Sequence, residues 1–169
     1  MSFEMKSQRD TRIDVLRALA LLTIFIDHIP GTVFEKLTYQ NLGFSDAAEA
    51  FVLLSGISVG LAYGTKFERG EWLLPSLRMA RRAGVLYASH IVTTVVTLGI
   101  FCAGAVLARR PELLTQINIG PLIEKTPETL IGIATLGHQL GYNNILPVYA
   151  VLLLASPLLL AMMRANLWF

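Results

Sequence analysis

Cysteine and charge are both scarce in this chain of 169 residues. A single cysteine, Cys102, excludes an intrachain disulfide and leaves no Cys-x-x-Cys pair for zinc. It sits in an apolar run and reads as a small buried hydrophobe. The three histidines are far apart, and no His-Glu-x-x-His spacing is present, so no metal site is expected. Charged residues make up 15% of the chain, against about 25% in ordinary soluble domains. Net charge is only +2, and basic and aromatic residues are not interleaved, which argues against a nucleic-acid partner. No internal repeat, low-complexity linker or second domain is visible, and the chain reads as one membrane-embedded domain over residues 1–169. Lys6, Arg9 and Arg12 ahead of an apolar run resemble a signal peptide. No Ala-x-Ala-like cleavage site follows, however, so a retained membrane helix is the better reading.

What the chain does have is apolar length. Hydrophobic residues reach 54% and mean hydropathy is +0.57. Four stretches approach the length needed to cross about 30 Å of hydrocarbon: residues 13–33, 44–63, 83–107 and 145–163. The fourth has Pro147 in its first turn and Pro157 as an expected kink. Residues 130–136 are too few to span and read as re-entrant or interfacial. The expected fold is therefore an all-α polytopic bundle with about four spans.

Basic residues orient it. Lys6, Arg9, Arg12, Lys66, Arg69, Arg78, Arg81, Arg82 and Arg164 fall on one side, and Lys36, Arg109, Arg110 and Lys125 on the other. The N-terminus is thus expected in the cytoplasm. Residues 72–82 are expected as a short interfacial helix, with Arg78, Arg81 and Arg82 facing anionic headgroups or a phosphorylated ligand.

The first stretch is the most informative because it carries Asp14, Arg17, Asp27 and His28. Ionisable groups at membrane depth read by default as functional. Arg17 and His28 are eleven residues apart, which puts them on one helix face about 16 Å apart along the axis. Asp14 is spaced to pair with Arg17. The pair is either a snorkelling interfacial anchor or an anion site for an incoming phosphate or carbonyl.

Glu49, in the first turns of the second stretch, is expected at the depth of His28. A carboxylate against an imidazole is a general-base arrangement, while a buried structural acid is the alternative. Asp46 suits a helix cap, and Ser55-Gly56 suits close helix packing. His90 reads as an interhelical hydrogen-bond partner. His138, Gln139, Asn143 and Asn144 form a polar cluster suited either to a sugar or to a hydrated loop.

The words RIDVLRALALLTIFIDHIPG, GFSDAAEAFVLLSGISVGLAYG and GYNNILPVYAVLLLASP, in that order, resemble the OpgC family. The Arg17-x10-His28 spacing also resembles the wider integral-membrane acyltransferases. The resemblance implies a bacterial inner-membrane enzyme that moves an acyl group, succinyl by preference, from acyl-CoA to a hydroxyl of a periplasmic glucan. No permanently bound cofactor is implied. By position, His28 matches the family's essential histidine, Arg17 its essential arginine and Asp14 the acidic residue before it. Catalysis by Glu49 beside His28, donor binding by Arg17, Asp14, Arg78, Arg81 and Arg82, and acceptor binding by Asp46, His138 and Asn143 are expected from charge, side and residue type. Ala18 replaces the glycine usual after the arginine. Members of the family are longer, so the chain is expected to correspond to an N-terminal portion. The alternatives are a transmembrane acetyltransferase for another sugar, a non-catalytic transport or binding subunit, and an inactive truncated paralogue.

Overall fold

A computed structural model describes residues 11–29, 33–34, 38, 46–141 and 143–165. All regular structure among them is helical. The order is α1 (Thr11–Asp27), α2 (Ala47–Glu68), α3 (Leu73–Leu107), a 3-10 turn (Pro111–Thr115), α4 (Gly120–Glu124), α5 (Thr126–Ala134) and α6 (Ile145–Arg164). The chain divides into two compact units, Met1–Thr65 and Lys66–Phe169.

Three helices are long and apolar enough to cross a membrane: α2, α3 and α6. The expected first span is shorter than its apolar pattern. α1 has 17 residues, about 25 Å at 1.5 Å per residue, the lower limit for a span. Its interior contains neither Gly nor Pro. It stops just short of Ile29-Pro30, where the residue before proline is steered out of the helical region.

In the second unit the main packing is α3 against α6. Met79, Ala83, His90 and Thr94 are buried on α3, and Tyr149, Ala150, Leu153 and Leu160 on α6. The spacing of these positions follows the helical repeat, which gives each helix one covered stripe. Ala83 and Ala150 keep the covered stripes narrow, as close helix approach requires. α6 continues through Pro157 to Arg164.

Two contacts set the register. A Cβ on Gly70 would lie 3.7 Å from Arg164 Nη2. At the other end, Asn143 Nδ2 donates to Thr93 Oγ1 at 3.0 Å and to Thr94 Oγ1 at 3.2 Å. The helices therefore run antiparallel, and all of α6 lies along residues 73–94 of α3. This corrects the expectation of a separate interfacial helix. Residues 72–82 are the first turns of a continuous 35-residue helix, about 52 Å long. No breaker separates Arg82 from Ala83, and Pro75 falls in the first turn, where proline is tolerated.

Beyond Thr94, α3 runs past the end of α6. There the 3-10 turn packs on it, with a Cβ on Gly104 placed 2.9 Å from Leu113 Cδ1. Cys102 lies in this overhang and is exposed, not buried as expected. On α2, Ser55 is buried, but a Cβ on Gly56 would meet nothing within 4 Å, so Gly56 is not the close-packing point expected of it.

The overhang ends on a residue in a left-handed conformation. Arg109 has φ 52°, and Arg110 N–H reaches back to the Ala105 carbonyl at 3.1 Å. This closure normally uses glycine, because a side chain costs about 1 kcal/mol there. Arg109 is exposed. Arg109→Gly should therefore raise stability by about 1 kcal/mol, read as a higher thermal midpoint in detergent. A lower midpoint would contradict the assignment.

Candidate functional site

The covered stripe of α1 is the site's scaffold. Ala20 and Ile24 are its buried residues. Asp14, Arg17 and His28, all half-buried, fall on the same face by helical spacing. The helix stays regular to its end, where His28 N–H bonds the Ile24 carbonyl at 3.2 Å. Asp14, Arg17 and His28 thus lie on the side of α1 that the protein covers. The opposite side carries exposed Val15, Leu19 and Leu22. This division is what a helix in apolar surroundings requires of its polar residues.

Arg17 is held by an aromatic ring. Its guanidinium carbon sits 5.4 Å from the centroid of Phe51 on α2, and Phe51 itself is buried. Phe51 is therefore a site residue that the sequence reading missed. Helical periodicity marks it only as another apolar position. Asp14 and Arg17 both engage further partners.

His28 is held by its own helix. Nδ1 lies 2.6 Å from the Ile24 carbonyl oxygen. A carbonyl only accepts, so Nδ1 carries the proton in the neutral ring and Nε2 is the basic nitrogen. Asp27 flanks this group, with Oδ1 buried and without a hydrogen bond among the described residues.

Glu49 is exposed, and its carboxylate makes no ion pair or hydrogen bond with the described residues. The reason is spacing. Glu49 precedes Phe51 by two residues, and positions two apart on a helix do not share a face. With Phe51 turned inward, Glu49 turns out. Asp46 caps α2, accepting the Ala48 N–H at the second helical position.

The remaining candidates belong to the second unit. Arg78, Arg81 and Arg82 share one exposed face of α3. Arg82 lies over the Tyr149 ring, 5.9 Å from its centroid. The register places all three alongside α6, not beyond its end. His138 and Asn143 bond different partners. His138 Nε2 is 3.1 Å from the Asn118 carbonyl oxygen, and its Cβ crowds Gly132. Asn143 instead bonds Thr93 and Thr94, next to His90. His90 is fully buried, with neither ring nitrogen hydrogen-bonded among the described residues, and the Asn143 backbone lies beside the ring.

Phe51 offers a direct check on the scaffold. Phe51→Ala should cost about 3 kcal/mol, since it empties a buried ring position. Phe51→Leu keeps most of the apolar volume and should cost about 1 kcal/mol, near the worth of a desolvated cation–ring contact. Denaturation in detergent micelles measures both. Equal stability of all three proteins would show that Arg17 and Phe51 do not support each other.

The chain matches no curated protein and no solved structure. It does match the family described as OpgC protein over residues 9–169. The match takes in α1 with its Asp14, Arg17 and His28 stripe, the capped start of α2, and the α3–α6 pair. This polytopic helical chain belongs to the OpgC family.

Proposed function

We propose that this protein is a membrane O-acyltransferase that moves an acyl group, succinyl by preference, from acyl-CoA to a hydroxyl of a periplasmic glucan. Membership of the OpgC family supports a glucan-modifying acyltransferase role. The single observation that carries the mechanism is the 2.6 Å contact between His28 Nδ1 and the Ile24 carbonyl. It presents Nε2 as the basic nitrogen, which is what proton abstraction from a hydroxyl needs.

The proposed chemistry is a single acyl transfer. His28 Nε2 takes the proton of the acceptor hydroxyl as that oxygen attacks the thioester carbonyl. The new C–O bond forms and the C–S bond breaks. The departing thiolate then takes the proton back from the imidazolium, so the ring returns to its starting tautomer. Arg17 holds the donor through a charge-assisted contact, with Asp14 a turn away to position it. Arg78, Arg81 and Arg82 take phosphates of the donor. Asp46, His138 and Asn143 have structural partners of their own, so acceptor binding through them rests on residue chemistry alone. We place the protein in a bacterial inner membrane with its N-terminus in the cytoplasm, following the distribution of basic residues.

Acylation of glucan by membranes carrying the protein tests this reading. His28→Ala should lower transfer by about a hundredfold or more, the scale of lost acid–base catalysis, with membrane insertion unchanged. Arg17→Ala should raise the apparent KM for acyl-CoA by about tenfold, one charge-assisted hydrogen bond. Glu49→Gln should leave transfer within about twofold. Transfer at the wild-type rate by His28→Ala would overturn the proposal.

A further inference from the structure

A pocket lies at the end of the α3–α6 pair. It has a volume of about 380 Å³ and is lined by Phe67, Trp72, Ala161, Arg164 and Ala165. That volume is within the range of small-molecule sites. Its walls follow from local structure. α2 closes with Gly70 N–H on the Phe67 carbonyl at 3.0 Å and Glu71 N–H on the Lys66 carbonyl at 2.9 Å. Gly70 has φ 83°, the left-handed conformation this closure demands. The turn buries Phe67 and leaves Trp72 exposed at the start of α3. Arg164, the last residue of α6, reaches the same turn, its guanidinium nitrogens 3.7 and 3.8 Å from where a Cβ on Gly70 would stand. A larger residue at 70 would therefore be strained in backbone as well as crowded against Arg164.

Exposed Arg164 is the informative residue. Glu68 and Glu71 sit on the same turn, yet neither pairs with it. Arg110 and Glu112, by contrast, approach each other at 3.8 Å. Arg164 thus presents a guanidinium with no carboxylate partner among the described residues, at a pocket whose other walls are two aromatic rings and two alanines. A planar fork of donors matches a phosphate, and the rings match an aromatic or apolar body. Two small alanines keep the space open.

We propose that this pocket binds a phosphate ester carried on an aromatic or apolar body, with Arg164 on the phosphate and Trp72 against the body. Two sources have this chemistry: a phosphorylated nucleotide and the headgroup of an anionic lipid. The proposal stands on this pocket alone, so glucan acylation by His28 can fail without affecting it.

Fluorescence of Trp72 tests it on the whole chain. The sequence has two tryptophans, so Trp168→Phe leaves Trp72 as the reporter. One arm titrates adenosine 3′,5′-bisphosphate into detergent-purified protein, with adenosine as the control. The other compares nanodiscs of phosphatidylcholine with nanodiscs containing phosphatidylglycerol. A saturable change is expected in one arm, weakened about tenfold by Arg164→Gln and abolished by Ala161→Phe, which fills the pocket. The arm that responds identifies the source. Helical circular dichroism confirms that each variant is folded, and Arg164→Lys, which keeps the charge, should retain part of the response. No saturable change in either arm overturns the proposal. So does an equal response to adenosine, or a response that survives Arg164→Gln in folded protein.

Discussion

The requirement that ionisable groups in apolar surroundings face protein organises the rest of this structure. α1 carries Asp14, Arg17, Asp27 and His28, and all four are half-buried. They share or flank the face marked by buried Ala20 and Ile24, while Leu, Val and Phe side chains face outward. Turning the helix by half a revolution would put a guanidinium and an imidazole into hydrocarbon, at several kcal/mol each. The Arg17–Phe51 contact adds about 1 kcal/mol, so it refines an orientation that desolvation already decides.

The same logic explains what fastens the second unit. Apolar side chains gain little from leaving lipid for one another, so α3 and α6 depend on close fit and on a few polar ties. Asn143 supplies two of these to Thr93 and Thr94, each worth about 0.6 kcal/mol by the average for membrane proteins. Their value lies in register. Asn143 at one end and the Gly70 turn against Arg164 at the other fix how far α6 extends along α3. That register carries Arg78, Arg81 and Arg82 alongside an apolar helix, which a reading of charge by side alone would have placed beyond it.

Much of this was legible in the residues. Most helix positions followed apolar length, and α1 stops just short of Pro30. The placement of Arg17 and His28 on one face needed only the helical repeat. Asp46 was recognisable as a cap by its type and place. What the residues did not disclose was pairing across the fold. Nothing in the local pattern distinguishes Phe51 as the ring beneath Arg17 from its apolar neighbours. Glu49 drew attention because a carboxylate at that depth suits an imidazole, yet it shares a helix with Phe51 at a spacing that turns it away. His28 found its orienting group in the Ile24 backbone, an acceptor that every sequence contains and none advertises. The separate interfacial helix expected over residues 72–82 came from weighing three arginines above the absence of any breaker. The backbone's continuity prevailed.

General-base chemistry at His28 turns on the tautomer that the Ile24 carbonyl imposes on the ring. Nitrogen-15 NMR of histidine-labelled protein in bilayers observes it directly, with the His28 signals assigned by their loss in His28→Gln. A neutral ring protonated at Nδ1, with Nε2 bare, is the predicted result. A neutral ring protonated at Nε2 would contradict it and remove the general base from the site.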